Sequence, residues 1–145
     1  MKIILKDDGK YVLRFDKGEE LLEELIKFAE AEKIEAGWFL AIGAVSEITL
    51  SHYDLDAQKY SDKDYKEKLE IASLSGNIAK MKNKEIGAEK VIIHAHGSFS
   101  NPKMAVVAGH IKKLVVGPTC EVFLVKLDGK IERAYSDEIG LNLMK

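Results

Sequence analysis

Segments in which apolar and polar residues alternate fill most of this 145-residue chain. Successive side chains of an extended strand point to opposite faces, so this alternation predicts half-buried β-strands. Short turn sequences separate these segments, as Asp7-Asp8-Gly9 does between Lys2–Lys6 and Lys10–Phe15. A single stretch, about Gly18–Lys33, has helical periodicity instead. The predicted fold class is α+β, with a mainly antiparallel sheet and one packed helix in a single domain covering residues 1–145.

The predicted helix has one apolar face, formed by residues three and four positions apart. These residues are Leu21, Leu22, Leu25, Ile26, Phe28 and Ala29. Upstream, Asp16 and Glu19 have the spacing of a capping box, in which two side chains satisfy free N–H groups at a helix start. The helix is therefore expected to begin near Gly18 and to cover the sheet with its apolar face.

Two further turns are predicted in the C-terminal half of the chain. Gly117-Pro118 predicts a turn between Ile111–Val116 and Thr119–Leu127. Asp128-Gly129 predicts a hairpin, in which Lys130–Ser136 returns beside the strand before it.

Ala36–Ala44 is apolar almost throughout, a composition typical of a strand covered on both faces. Within it, Trp38 is predicted to be a core or subunit-contact residue. Gly43 is predicted to mark a bend or a close backbone approach. A chain of this size has few elements with which to cover both faces of several strands, so the pattern favours a subunit interface.

Three of the four histidines lie in Val91–His110. His94 and His96 follow an apolar strand start and, being two positions apart, point to the same face. A polar turn, Gly97–Lys103, is predicted next, before a second apolar run that ends at His110. An antiparallel return would bring His110 beside the other two histidines.

Three convergent imidazoles with an open coordination position predict a transition-metal site, with zinc as the leading candidate. The alternative is that the same rings are half-buried, satisfied by backbone carbonyls and free of metal. His52, the fourth histidine, follows the apolar face of Glu47–Asp54 and is predicted to be a core or interface residue outside the site.

Three further residues are candidates for a ligand-binding or supporting role. Arg14 precedes the predicted helix and forms either a surface ion pair or a ligand contact. Glu121 lies in an otherwise apolar strand, so it is expected to form an ion pair, to accept a hydrogen bond from a metal-bound histidine or to face solvent. Glu70 and Glu121 are the carboxylates that we nominate as general bases if the site is catalytic.

The net charge of −2 limits the kinds of partner. Proteins that bind duplex DNA on their own usually have a basic face, because neutralised phosphates supply most non-specific affinity. In this chain, DNA binding would need a local patch. Lys80, Lys82 and Lys84 form one basic cluster, which is either a solvated loop or a phosphate contact.

Several other classes of protein are not expected. No apolar run approaches the roughly 20 residues that span a bilayer, so a membrane partner is not predicted. Cys120 is the single cysteine, which excludes an intramolecular disulfide and favours a cytoplasmic protein. The sequence has no Gly-x-Ser-x-Gly, Gly-x-Gly-x-x-Gly or Walker motif, so hydrolase triads and nucleotide sites of those kinds are unsupported.

An ordered set of short motifs runs along nearly the whole chain. The motifs are Arg14 with Asp16-x-Gly18-Glu19, Gly43-Ala44, Glu70-Ile71, Ser73-Leu74-x-Gly76-Asn77-Ile78, His94-Ala95-His96, Gly109-His110 and Thr119-x-Glu121. In this order they resemble the PPC domain, the "plants and prokaryotes conserved" domain, in its free-standing prokaryotic form.

The resemblance implies an α+β fold with a curved, mainly antiparallel sheet and a packed helix, assembled as a homotrimer. Prokaryotic members commonly carry a DNA-binding label, and some resemble zinc proteins whose ligands would here be His94, His96 and His110. Plant members grip DNA with an Arg-Gly-Arg-Pro hook, which this sequence does not contain. The sequence also has Ala108 before Gly109-His110, where the family commonly has two glycines.

Three functional hypotheses follow. The first is a homotrimeric binding or assembly protein of the PPC type, with DNA as a partner and a zinc site at the histidines. The second is a metal-dependent hydrolase or lyase that acts on a small molecule at the same site, where the metal could instead hold a small anion or be purely structural. The third is a metal-free interaction scaffold. We expect binding rather than catalysis.

Overall fold

The structure, a computed structural model, describes residues 1–82 and 88–145. Lys84 of the predicted basic cluster lies outside the described residues. The elements are β1 Lys2–Asp7, β2 Lys10–Asp16, α1 Leu21–Ala31, β3 Gly37–Asp54, β4 Lys59–Tyr65, β5 Leu69–Lys82, β6 Glu89–Ser100, β7 Val106–Lys126, β8 Glu132–Ser136 and β9 Leu141–Met144. Within the described residues, no helix has the length and apolar character needed to cross a membrane.

All nine strands join one sheet, and of the pairings described, that between β5 and β8 is parallel and the others are antiparallel. This arrangement, with α1 packed on it, confirms the predicted α+β class. The long strands β3 and β7 pair with each other along most of their length. β6 pairs with both β5 and β7, while β3 also pairs with both. These four strands therefore close a cycle, which requires the sheet to curve.

The concave side of this cycle holds the core. Its largest fully buried side chains include Phe15, Phe39 and Phe99, one from each of three different strands. The helix α1 adds a buried face to the same cluster, made of Leu21, Leu25, Phe28 and Ala29. The predicted apolar face of the helix is thus confirmed, and its burial supplies most of the helix's stability.

The helix begins later than the capping-box spacing predicts. Its N-cap is Glu20, whose carboxylate accepts a hydrogen bond from the Glu23 N–H at 2.6 Å. Gly18 has a φ of +87°, and its N–H donates to the Val116 carbonyl at 3.0 Å. The segment before Glu20 is therefore held by β7 and cannot join the helix.

Two predicted turns are wrong. Gly117-Pro118 lies inside β7, since the strand runs without interruption from Val106 to Lys126. A proline is tolerated there because register shifts near Val45 interrupt the ladder between β3 and β7. β8 does not return beside β7; it pairs with the end of β5, through Lys80 and Met81, and with β9.

The outer face of β3 and β7 is apolar and exposed. Its large side chains are Trp38, Leu40, Ile42 and Phe123, with exposed fractions of 44%, 48%, 55% and 46%. Within one chain, the Ala36–Ala44 segment is thus covered on its inner face alone. The apolar side chains on the outer face of this segment are exposed to solvent.

Gly43 lies at a close backbone approach between β3 and β7, as its position in an apolar strand predicts. Its φ is +138°, and a Cβ atom built on it would lie 2.3 Å from the Thr119 carbonyl oxygen. Both the backbone conformation and the space require glycine. Gly129 has a comparable φ of +98°, but a Cβ there would meet nothing within 4 Å.

We expect Gly43→Ala to lower the free energy of unfolding by about 3–5 kcal/mol, since it adds a backbone clash to the conformational strain. Gly129→Ala is the matched control and should cost about 1–2 kcal/mol, because it adds the strain alone. Urea denaturation of both variants at one protomer concentration measures the difference. Equal losses in the two variants would contradict the close approach.

Candidate metal centre

The three histidines of Val91–His110 meet on the outer face of the sheet, as their spacing predicts. His96 pairs directly with His110 across β6 and β7, and His94 lies two residues away on the same face. The ring centroids are 5.1 Å apart for His94 and His96, 5.1 Å for His94 and His110, and 5.3 Å for His96 and His110. One nitrogen atom from each ring lies within 4.8 Å of the other two.

The turn that brings His110 back is shorter than predicted. β6 continues through Ser100, so Gly97 lies in the strand rather than in the turn. The return is made around Asn101, whose side-chain oxygen accepts hydrogen bonds from the Lys103 N–H at 2.9 Å and the Ala105 N–H at 3.1 Å. Because this tight turn fixes the register of β6 with β7, it also fixes which histidines face each other.

Burial keeps two of the rings neutral. His94 and His110 are half-buried, while His96 is exposed. Desolvation lowers the pKa of His110 to about 4, with the two neighbouring histidines adding to the shift. Desolvation also lowers the pKa of His94, with a further contribution from the positive charge of Arg133. Neutral imidazole is the form that binds a metal ion, so at neutral pH these rings need not lose a proton first.

The cluster fits a metal ion with tetrahedral nitrogen coordination. Zn–N bonds of about 2.0–2.1 Å place tetrahedral ligand nitrogens about 3.3–3.4 Å apart. The nitrogens here lie within 4.8 Å of each other, so a small rotation of the rings would close the site. In addition, His110 Nδ1 is buried and has no hydrogen-bond partner in the described parts of the chain. A buried nitrogen without a partner is costly, and a metal ion bound to that nitrogen would offset the cost.

Arg133 reaches the cluster from β8. One terminal nitrogen, Nη2, donates to the Asn77 side-chain oxygen at 2.9 Å and lies 3.2 Å from His94 Nδ1. The other, Nη1, donates to the Asn142 carbonyl at 3.1 Å. Sequence reasoning missed Arg133 as a site residue. The sequence feature that could have drawn attention to it is that Arg133 is one of two arginines in the chain. Its place beside the cluster, however, depends on the pairing of β8 with β5.

Beside His110, on the side of β4, lies a group of three side chains: Tyr60, Asp62 and Lys112. The Tyr60 ring lies 5.2 Å from the His110 ring, centroid to centroid, and Lys112 Nζ lies 4.9 Å from the Tyr60 centroid. Asp62 pairs with Lys112 at 2.7 Å and accepts a hydrogen bond from the Ser51 hydroxyl at 2.7 Å. The carboxylate of Asp62 is therefore already engaged.

The other predicted site residues lie away from this cluster. Arg14 lies opposite Glu121 in the ladder between β2 and β7, and its guanidinium lies 3.2 Å from the Asp16 carboxylate. Glu121 is exposed. Glu70 is exposed at the start of β5, opposite Ser100. Neither glutamate belongs to the group of nitrogens and oxygens that could share a metal among the described residues.

His52 is exposed on β3, opposite Ser61 of β4. It therefore is not a core residue, which corrects one of the two alternatives given for it. Among the described residues, it does not belong to the group of potential metal ligands that the other three histidines form.

The model of the Plants and Prokaryotes Conserved (PCC) domain family matches residues 5–128. The chain belongs to this family. The match spans the strands that carry all three histidines of the cluster, and it confirms the resemblance carried by the ordered motifs. Arg133 lies just beyond the matched residues.

Solved structures of similar length have the same fold. A "putative DNA binding protein" from Bacteroides thetaiotaomicron has a TM-score of 0.88 and 27% identity, covering 97% of this chain and 94% of that one. A "metal-containing protein" from Archaeoglobus fulgidus has a TM-score of 0.85 and 32% identity, covering 100% and 99%. A plant- and prokaryote-conserved protein from Pyrococcus horikoshii has a TM-score of 0.85 and 30% identity, covering 94% and 90%. No curated protein matched the chain.

Replacing one of the three clustered histidines should remove metal binding, whereas replacing the fourth should not. We expect His96→Ala to weaken zinc affinity by more than about 100-fold, because even outer hydrogen-bond partners of metal ligands contribute 10–100-fold. His52→Ala is the matched control and should bind zinc as the unmodified protein does. Elemental analysis after dialysis against zinc measures both. Equal zinc content in the two variants would refute the ligand set.

Proposed function

We propose that this PCC-domain protein is a homotrimer whose histidines His94, His96 and His110 hold a divalent metal ion, zinc in the first place. The fourth coordination position would be open to a small ligand. The observation that carries the proposal is the approach of three imidazole nitrogens to within 4.8 Å of each other on one face of the sheet. The resemblance to the "metal-containing protein" of Archaeoglobus fulgidus supports it.

The surroundings of the cluster favour binding over catalysis. Bound zinc would act as a Lewis acid and lower the pKa of a water molecule on it. A hydrolase or lyase would also need a general base within hydrogen-bond reach of the reacting group. Among the described residues, Asp62 on the His110 side is paired with Lys112 and Ser51, and Glu70 and Glu121 lie elsewhere on the sheet. We therefore propose a ligand-binding role for the metal.

The exposed apolar face supports assembly into an oligomer. Trp38, Leu40, Ile42 and Phe123 form a continuous patch, because Leu40 pairs with Phe123 and the three β3 residues alternate along one face. Burying the exposed half of each of these side chains would contribute about 1 kcal/mol. Leu40 lies opposite Ser75 of β5, and Ser75 lies opposite His96 of β6. The patch therefore begins two strands away from the histidines. We propose that further copies of this chain cover it.

Placing a charge in this patch should dissociate the oligomer. We expect Ile42→Glu to be monomeric at micromolar concentration, since the glutamate would have to be buried without a partner. The matched control is Leu55→Glu, because Leu55 is 67% exposed in the β3–β4 turn, outside the patch. Light scattering after size-exclusion chromatography measures both masses. A trimeric Ile42→Glu protein, or a monomeric unmodified protein, would contradict the assignment.

DNA binding is a second candidate, supported by the "putative DNA binding protein" of Bacteroides thetaiotaomicron. Lysines of this chain are interleaved with acidic residues: Lys112 pairs with Asp62, Lys113 with Glu47 and Lys130 with Glu89. These three lysines are thus already neutralised by carboxylates. Because the chain also has a net charge of −2, we propose that any DNA binding depends on several protomers acting together.

For this second candidate we expect a complex with duplex DNA in a gel-shift titration at about 50 mM salt, and its loss by about 200 mM, as counterion release requires. The Ile42→Glu variant is the control, because a monomer should lose the contribution of the other protomers. No complex at about 50 mM salt, even at high micromolar protein, would exclude DNA as a partner.

A further inference from the structure

The guanidinium of Arg133 is a partly buried cation whose partners are all neutral. It donates to the side-chain amide of Asn77 and to the backbone carbonyl of Asn142, and it contacts the His94 ring. Its Nε–H group is buried and has no hydrogen-bond partner in residues 1–82 and 88–145. The neutral acceptors therefore leave both its charge and part of its donor set unsatisfied.

No carboxylate offsets this charge in the described parts of the chain, where no ion pair includes Arg133. The other arginine behaves differently, since Arg14 lies 3.2 Å from the Asp16 carboxylate. Even a partly buried cation without a counter-ion carries a desolvation cost. An anionic ligand is one way in which such a cost is offset.

The contact with His94 links this cation to the metal site. A guanidinium can only donate, so the Nδ1 atom of His94 must act as an acceptor in this contact. A neutral imidazole has a single acceptor nitrogen, so a metal ion on His94 either takes the Nδ1 lone pair or binds Nε2 and leaves a proton on Nδ1. In both cases His94 can no longer accept from Arg133. The Nη2 group of Arg133 therefore loses this partner beside the metal site.

The charges of the loaded site then favour an anion. Three neutral imidazoles leave the full charge of a divalent ion in place, and the guanidinium adds to it. Arg133 also lines a cleft of about 360 Å³ through which a small molecule could reach it. The lining carries both signs of charge, with Lys80, Lys82 and Lys145 as well as Glu89, Glu132 and Asp137. Planar carboxylates match the fork of a guanidinium, forming two parallel hydrogen bonds.

We propose that Arg133 is the ligand-recognition residue of this site and that the ligand at the open metal position is a small carboxylate. Its carboxylate group would lie against the guanidinium that the metal releases from His94. This inference rests on the metal site proposed above, and it adds the chemical class of the ligand and the residue that selects it.

The test uses the full-length protein loaded with cobalt(II), whose visible absorption reports changes in coordination, and acetate as the probe. We expect acetate to shift the spectrum and to bind Arg133→Gln at least about 10-fold more weakly, the contribution of a charge-assisted hydrogen-bonded pair. Neutral imidazole, which needs only the metal, should bind both proteins alike. Arg14→Gln removes the same charge elsewhere and should bind acetate as the unmodified protein does.

A second variant keeps Arg133 and gives it an internal counter-ion. Asn77→Asp is nearly isosteric and places a carboxylate on the Nη2 group that Asn77 now contacts, so it should also weaken acetate binding while cobalt stays bound. Equal acetate affinity in the unmodified, Arg133→Gln and Asn77→Asp proteins, all loaded with cobalt, would overturn this inference and leave the metal site standing. Failure of the unmodified protein to bind cobalt would overturn the metal site and this inference together.

Discussion

The antiparallel pairing of β6 with β7 determines both the curvature of the sheet and the position of the histidines. It closes the cycle of β3, β5, β6 and β7, and it places His96 opposite His110. Next to this pair, Gly97 lies opposite Gly109. A Cβ atom on Gly97 would lie 2.8 Å from the Phe99 ring, and one on Gly109 would lie 3.0 Å from the Ser51 carbonyl oxygen. Glycine at both positions lets the strands approach the core closely enough for the pairing to form.

The curvature also explains why the candidate centre lies between two different surfaces. On one side, Ser75 of β5 lies between His96 and Leu40, and Leu40 belongs to the exposed apolar patch. On the other side, the β8–β9 hairpin brings Arg133 to His94. In the proposed oligomer, a subunit packed on the patch would thus lie near the metal site.

Local patterns were enough to predict most strand segments, the helix and the convergence of the histidines, but not the continuity of β7 through Gly117-Pro118. His94 and His96 share a face in any strand, and an antiparallel return whose register pairs His96 with His110 brings the third histidine to that face. Non-local pairing was not predictable in the same way. Arg133 was missed because Asp128-Gly129 suggested a hairpin with β7, whereas β8 pairs in parallel with Lys80 and Met81 of β5. The helix start was misplaced for a related reason, because Gly18 is held by the Val116 carbonyl of a distant strand.

The most direct test of the account is X-ray absorption spectroscopy at the zinc edge on zinc-loaded protein. The account predicts about one zinc per protomer in a shell of nitrogen and oxygen atoms at about 2.0–2.1 Å, with the multiple-scattering features of three imidazoles. A shell containing sulfur, fewer than three imidazoles, or no stoichiometric uptake of zinc would contradict it.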